Sequence, residues 1–301
     1  MSTGTNTSTL MNISETSPFY KGECSLKCDY SFLYNLSTCT AYNEENSILF
    51  TYDSNTNGSA QVSYNGIEYN VFYIELVTPS IHSFNGQQTS AELIVIHSPL
   101  VAGPSLYVCI PIVGSTGIDI IMSPATQLVS EMITQSIELI PKQGEQTTLN
   151  LQGYSLEHIV PKQPFYSYSD LSNNTTWVVY GAKSGITVSD NLIKRLSEII
   201  SPSSDTTQNG LPFYMNKKGP TNLSIKNLSD EIYIDCQPTG SSTEQTNITT
   251  TLTNTNNNSV LFFIYVIFFL LVLFSIYMLF AYITHSDKKS ISLNNIKNPF
   301  M

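Results

Sequence analysis

Four residues able to bind metal or move protons fall in one short stretch: Glu75, His82, Glu92 and His97. Neutral imidazoles and carboxylates are the side chains that hold divalent cations or act as general acids and bases. Their spacing limits what they do together. Glu92 and His97 lie an odd number of positions apart in a strand-like run, so alternation places them on opposite sheet faces unless a bulge intervenes. A metal site shared by Glu75, Glu92 and His97 therefore conflicts with the strand period. A glutamate on a half-buried strand needs a partner, and His82 is the natural one for Glu92. The five cysteines are Cys24, Cys28, Cys39, Cys109 and Cys236, an odd number, so at least one is free or pairs between chains. Cys109 sits in an apolar run and reads as a buried thiol. Within the group Cys24, Cys28 and Cys39 a disulfide is favoured over a metal site, because no histidine or fourth cysteine lies at a suitable local spacing. Five basic residues, Lys194, Arg195, Lys217, Lys218 and Lys226, form either a local basic patch or ordinary solvated faces.

The elements that must position these residues are mainly β. Short runs rich in Val, Ile, Tyr and Phe recur at 47–52, 61–64, 69–77, 91–97, 106–113, 117–122 and 176–180, with turn residues between them. Asn85-Gly86 predicts a tight turn, because glycine accepts positive φ. One helix is predicted: Ser189 caps it, Leu192, Leu196 and Ile199 form its apolar stripe, and Pro202 ends it. Residues 1–19 read as a disordered arm and 238–259 as an Asn/Thr-rich stalk, since few apolar groups are present to offset ordering entropy. Between them, residues 20–237 form the folded domain. Sequons such as those at Asn35, Asn57, Asn222, Asn227 and Asn247 matter only if that domain is lumenal.

Residues 260–283 hold no charged residue, and such a run covers the ~30 Å hydrocarbon core at ~1.5 Å per residue. They predict one transmembrane helix, with 284–301 as a short tail. Residues 1–20 carry neither a basic nor an apolar leader pattern, which predicts late insertion and a cytosolic domain. Lys288 and Lys289 just past the run place the tail in the cytosol instead. Residues before 260 include 10 basic and 22 acidic side chains, a net charge of −12. That excludes nucleic acid as a partner, since phosphate binding needs clustered cations, and disfavours polyanions.

Two segments resemble the α-type carbonic anhydrases. ELVTPSIH (75–82) running on through SFNGQQTSAELIVIH (83–97) is similar to the family's FHFHTPSEH, turn and AELHLVH. LEHIVPKQPFYSYSDL (156–171), then TWVV (176–179) and the helix at Ser189, are similar to its LLP…YYxYxGSL, VTWIV strand and following helix. The order and spacing agree over roughly 20–237. The resemblance implies a twisted central β-sheet. In the family three neutral histidines hold zinc, which lowers the pKa of bound water to ~7 for attack on carbon dioxide. The matching positions here are Glu75, Val77 and Ile94, two of which offer no lone pair. Ile81 stands where the family has the glutamate that orients its zinc-hydroxide partner, and the Pro-Pro turn after Leu171-Ser172-Asn173 is shortened away. Ser172 keeps a hydroxyl in that loop. His82, Glu92 and His97 match residues that support the metal ligands from behind.

The resemblance thus implies a non-enzyme with no catalytic residue, metal or cofactor. A degenerate domain of this kind with a C-terminal anchor and short tail resembles the poxvirus cell surface-binding proteins. It implies a virion membrane protein, exposed outside the particle, that attaches to a host-cell surface glycan or protein. A structural virion membrane protein without an external ligand, or a residual carbonic-anhydrase-type enzyme, are the alternatives.

Overall fold

The computed structural model describes residues 10–24, 27–53, 60–116, 123–203 and 207–223. The predicted stalk, transmembrane run and tail lie outside the described residues, as do run 117–122, Cys236 and Lys226. Among the described residues no helix is long and apolar enough to cross a membrane.

In chain order the strands are β1 (Met11–Ile13), β2 (Tyr20–Glu23), β3 (Tyr30–Phe32), β4 (Thr40–Glu44), β5 (Ser47–Phe50), β6 (Val62–Tyr64), β7 (Ile67–Val77), β8 (His82–Phe84), β9 (Gln87–Gln88), β10 (Ala91–Pro99) and β11 (Ser105–Ser115). Helix α1 (Pro124–Leu139) follows, then β12 (Gln146–Thr148), α2 (Leu156–Ile159), β13 (Phe165–Asp170), β14 (Thr175–Tyr180), β15 (Ile186–Ser189), α3 (Asp190–Leu196), β16 (Phe213–Asn216) and β17 (Thr221–Asn222). One large mixed sheet runs in the order β12-β4-β5-β7-β10-β11-β14-β13-β16-β2. Its middle is antiparallel from β5 to β11, and β14 joins β11 in parallel. The two faces of this sheet carry separate apolar clusters. The larger one includes Phe50, Ile74, Leu93, Val108 and Val178 and is covered by α1, α2 and α3. The smaller one includes Val77, Ile94, Ile96, Cys109 and Val179.

The mainly β expectation and most predicted runs agree with these strands. Asn85 and Gly86 both have positive φ, 51° and 81°, in the β8–β9 turn. Helix α3 starts where expected, with Ser189 Oγ accepting from Leu192 N at 3.2 Å. Two expectations are corrected. Residues 11–13, expected within a disordered arm over 1–19, form a strand: β1 pairs in parallel with β8, and Met11 and Ile13 are buried in the smaller cluster. Two apolar side chains set two apart are enough to anchor that short strand. The single predicted helix has a longer companion, α1, capped by Ser123 Oγ on Thr126 N at 3.0 Å and buried along Leu128, Val129, Met132 and Ile133. Short α2 is a further helical turn. Among the cysteines, Cys24 and Cys28 form a disulfide, and Cys39 and Cys109 are free and buried.

Candidate functional site

Glu75, Val77, Glu92 and Ile94 project from the same face of the sheet, because Ile94 is opposite Glu75 and Glu92 opposite Val77 in the β7–β10 register. Val77 and Ile94 are buried in the smaller cluster, and their side chains carry no donor atom. Glu75 is half-buried and borders a hollow of about 370 Å³ with Glu44, Glu45 and Tyr42.

Behind these positions the fully buried His82 and Glu92 meet. His82 Nδ1 lies 2.8 Å from Glu92 Oε1, and Glu92 Oε2 accepts from the amides of Ile81 at 2.8 Å and His82 at 3.2 Å. His82 Nε2 lies 2.8 Å from Tyr168 Oη. Burial, with Cys109, Glu92 and Asp170 adding, pushes the Tyr168 phenol well up, so it stays protonated. Nδ1–H donates to the Glu92 carboxylate, and Nε2 shares a hydrogen bond with the Tyr168 hydroxyl. Cys109 completes a group in which His82, Glu92 and Cys109 each bring one ligand atom within 4.8 Å of the others. Its thiol is pushed well up, first by burial and then by Glu92 and Glu75. Both ring nitrogens of His82 and both oxygens of Glu92 are already bonded, so this group is an internally satisfied network.

His97 lies on the other face, in accord with the strand alternation. A register irregularity between Ile96 and His97 does not bring it to Glu92. Its Nδ1–H donates to Leu106 O at 3.1 Å and its Nε2 accepts from Tyr34 Oη at 2.8 Å. Burial lowers its pKa to about 4, so the ring is neutral at pH 7. The Ser172 hydroxyl is committed to Asp170 Oδ1 at 2.5 Å, and this bond, with those from Asn173, holds the Asp170 carboxyl below its ordinary pKa.

The basic group is divided. Lys194 and Arg195 belong to α3, while Lys217 and Lys218 follow β16, and Lys217 Nζ is paired with Glu23 Oε1 at 2.6 Å. Strands β14 and β13 stand between β11, on which α3 packs, and β16.

A cross-sheet row of rings is the feature that sequence reading missed. Strand register aligns the rings of Tyr73, Tyr107, Trp177, Tyr168, Phe213 and Tyr20, with Ile96 between the first two, on the same face as the Glu75 and Ile94 positions. Trp177 stacks on Tyr168 with 8° between planes and meets Tyr107 edge-on at 4.7 Å between centroids. Tyr166-Ser-Tyr-Ser-Asp170 shows the alternation that puts Tyr168 there, but its neighbours come from distant strands.

No protein-family model matches the chain, and a comparison with curated proteins finds no match. Solved structures do match. An α-carbonic anhydrase from Photobacterium profundum is similar with a TM-score of 0.53 at 13% identity, over 68% of this chain and 88% of that one. The carbonic anhydrase Cah3 from Chlamydomonas reinhardtii, solved in complex with acetazolamide, is similar with a TM-score of 0.51 at 15% identity, again over 68% and 88%. The chain has a carbonic-anhydrase-like fold.

Proposed function

We propose that the chain is a non-catalytic, carbonic-anhydrase-like binding module displayed on a viral membrane, where it attaches the particle to a host-cell surface. The observation that carries the loss of catalysis is the burial of Val77 and Ile94 beside Glu75, at the positions the resemblance assigns to zinc ligands. A catalytic zinc site takes three protein ligands and an open position. One carboxylate and two alkyl side chains do not fit it. His82 and Glu92 are no substitute, because their atoms bond one another, Tyr168 and the backbone.

Display rests on the uncharged run 260–283 and on the resemblance in plan to the poxvirus cell surface-binding proteins. The preceding residues 238–259 would then span roughly 25 Å, at about 5–6 Å × √n for a flexible chain. A spacer of that reach suits an adhesive domain and is of no use to a catalyst of a freely diffusing gas.

Elemental analysis of the purified full-length protein, with stopped-flow carbon dioxide hydration, tests the first half. The expected result is no stoichiometric zinc and no rate above background. Near-equimolar zinc with measurable hydration would return the chain to the residual-enzyme reading. Binding to cultured cells tests the second half: saturable, self-competed binding is expected. Specific capture of virion proteins with no cell binding would make it a structural virion component.

A further inference from the structure

On the sheet face opposite the aromatic row lies a cavity of about 660 Å³, within the range of small-ligand sites. Its walls include Tyr64, Tyr69, Ser167, Thr176 and Tyr214, with Lys27 at the rim. Its place follows from register. Tyr214 is opposite Ser167, and Ser169 is opposite Thr176. All four alternate with Phe213, Tyr168 and Trp177, which face the other way. Tyr64 and Tyr69 belong to the larger apolar cluster, whereas Val77 and Ile94 belong to the smaller. The cavity is therefore separate from the positions the family uses for metal.

The walls are fixed in place. The Lys27 segment is held by the Cys24–Cys28 disulfide, by Asn65, whose amide donates to Lys27 O at 2.8 Å while its oxygen accepts from Asp29 N at 2.9 Å, and by Asn216 Nδ2 on Cys28 O at 2.7 Å. On the opposite wall Ser167 Oγ donates to Trp177 O at 2.8 Å, so the Tyr64 hydroxyl, 2.6 Å away, donates to Ser167 and keeps its lone pairs. Tyr69 Oη is buried and has no hydrogen-bond partner among the described residues. An unpaired buried hydroxyl costs about 1–3 kcal/mol, and its location at a cavity points to a partner supplied from there. Burial pushes the Tyr69 phenol up to about 12, which keeps it a donor at neutral pH.

The chemistry of the lining narrows the ligand. Its polar groups are phenol and aliphatic hydroxyls, an amide and one ammonium, with no carboxylate, and they stand beside apolar Ile67, Pro104, Leu171 and Pro212 in a chain of net charge −10. Hydroxyls spaced around the wall match a hydroxyl-rich ligand. The exposed ring of Tyr214 offers an apolar plate for its C–H face. Lys27 accounts for one negative charge. A sulfated chain carries many, which one lysine does not balance against the field of the domain. A wholly apolar ligand would leave Tyr69 Oη unpaired.

We propose that this cavity binds a short saccharide bearing a single carboxylate, and that it is the recognition site of the binding module; the proposal rests on the binding reading above.

The test titrates full-length protein in nanodiscs with four probes: an N-acetylneuraminic acid trisaccharide, a glucuronic acid disaccharide, lactose and heparin. Saturable binding to an acidic, unsulfated probe is expected, weakened at least tenfold by Lys27→Gln and by Tyr214→Ala. Lys194→Gln on α3 is the control and leaves binding unchanged. No saturable binding, strongest binding to heparin, or binding indifferent to both Lys27→Gln and Tyr214→Ala overturns the site. Cell binding by the same variants separates the two readings. Wild-type adhesion by Lys27→Gln and Tyr214→Ala proteins sinks the site and leaves adhesion standing. Saccharide binding by a protein that adheres to no cell supports the site and sinks the attachment role.

Discussion

Tyr168 closes a buried chain of hydrogen bonds that starts at the amides of Ile81 and His82 and passes through Glu92 and the His82 ring. Each member has its partner, so the network costs little although all of it is buried. Removing one hydroxyl changes that. In Tyr168→Phe the ring still stacks on Trp177, but His82 Nε2 becomes a buried polar atom without its partner. A loss of about 1–3 kcal/mol is expected from the unpaired group, read as a lower urea midpoint with an unchanged m-value. A variant as stable as the parent would mean that water or a rotated ring supplies the missing partner.

Strand β10 shows how one element serves two faces. Glu92 turns to the network around Tyr168, and His97 turns to Tyr34 in the larger cluster. The neutral His97 ring is a pH liability. Its pKa is near 6.5 unfolded and about 4 folded, so between these values the unfolded chain binds more protons. Stability therefore falls as pH drops from about 6.5 to about 4 and levels off below, a loss on the order of 3 kcal/mol. Above pH 6.5 the residue adds no pH dependence. Urea midpoints measured across this window should fall less steeply in His97→Gln, whose amide can donate to Leu106 O and accept from Tyr34. Equal slopes in the two proteins would exclude His97 as the source. How much of this was legible depends on the range of the interaction. The alternation of Ala91-Glu-Leu-Ile-Val-Ile-His97 was enough to separate Glu92 from His97, and Asn85-Gly86 marked its turn. Helix α1 was missed although Ser123 and Pro124 open it, because its Ser, Thr and Gln face lacks the charge contrast that draws attention to a helix. The row from Tyr73 to Tyr20 was not legible, since it depends on register between strands far apart in the chain. Strand β1 escaped for the same reason: its reward for ordering is paid by β8 and the cluster beyond it.

For the molecule as a whole, the decisive question is whether residues 260–283 hold the domain to a bilayer. The run has no charged side chain, and Leu, Ile, Phe and Val each favour the centre of a membrane helix by about 0.3–0.6 kcal/mol. A helix also satisfies every backbone group within the hydrocarbon, which an extended run would not. The preceding domain is acidic, with net charge −12 before residue 260, so attraction to anionic headgroups is no alternative source of membrane binding. These two arguments separate under alkaline extraction. Carbonate releases proteins held to membranes by charge or by other proteins, and leaves those held by a spanning helix. The full-length chain is expected in the carbonate-resistant pellet, at low and high salt alike. A chain stopped after Gly240 lacks the run and is expected in the supernatant, soluble without detergent. Release of the full-length chain by carbonate would show that the apolar run is buried against protein instead, and the display that the attachment reading requires would fall with it.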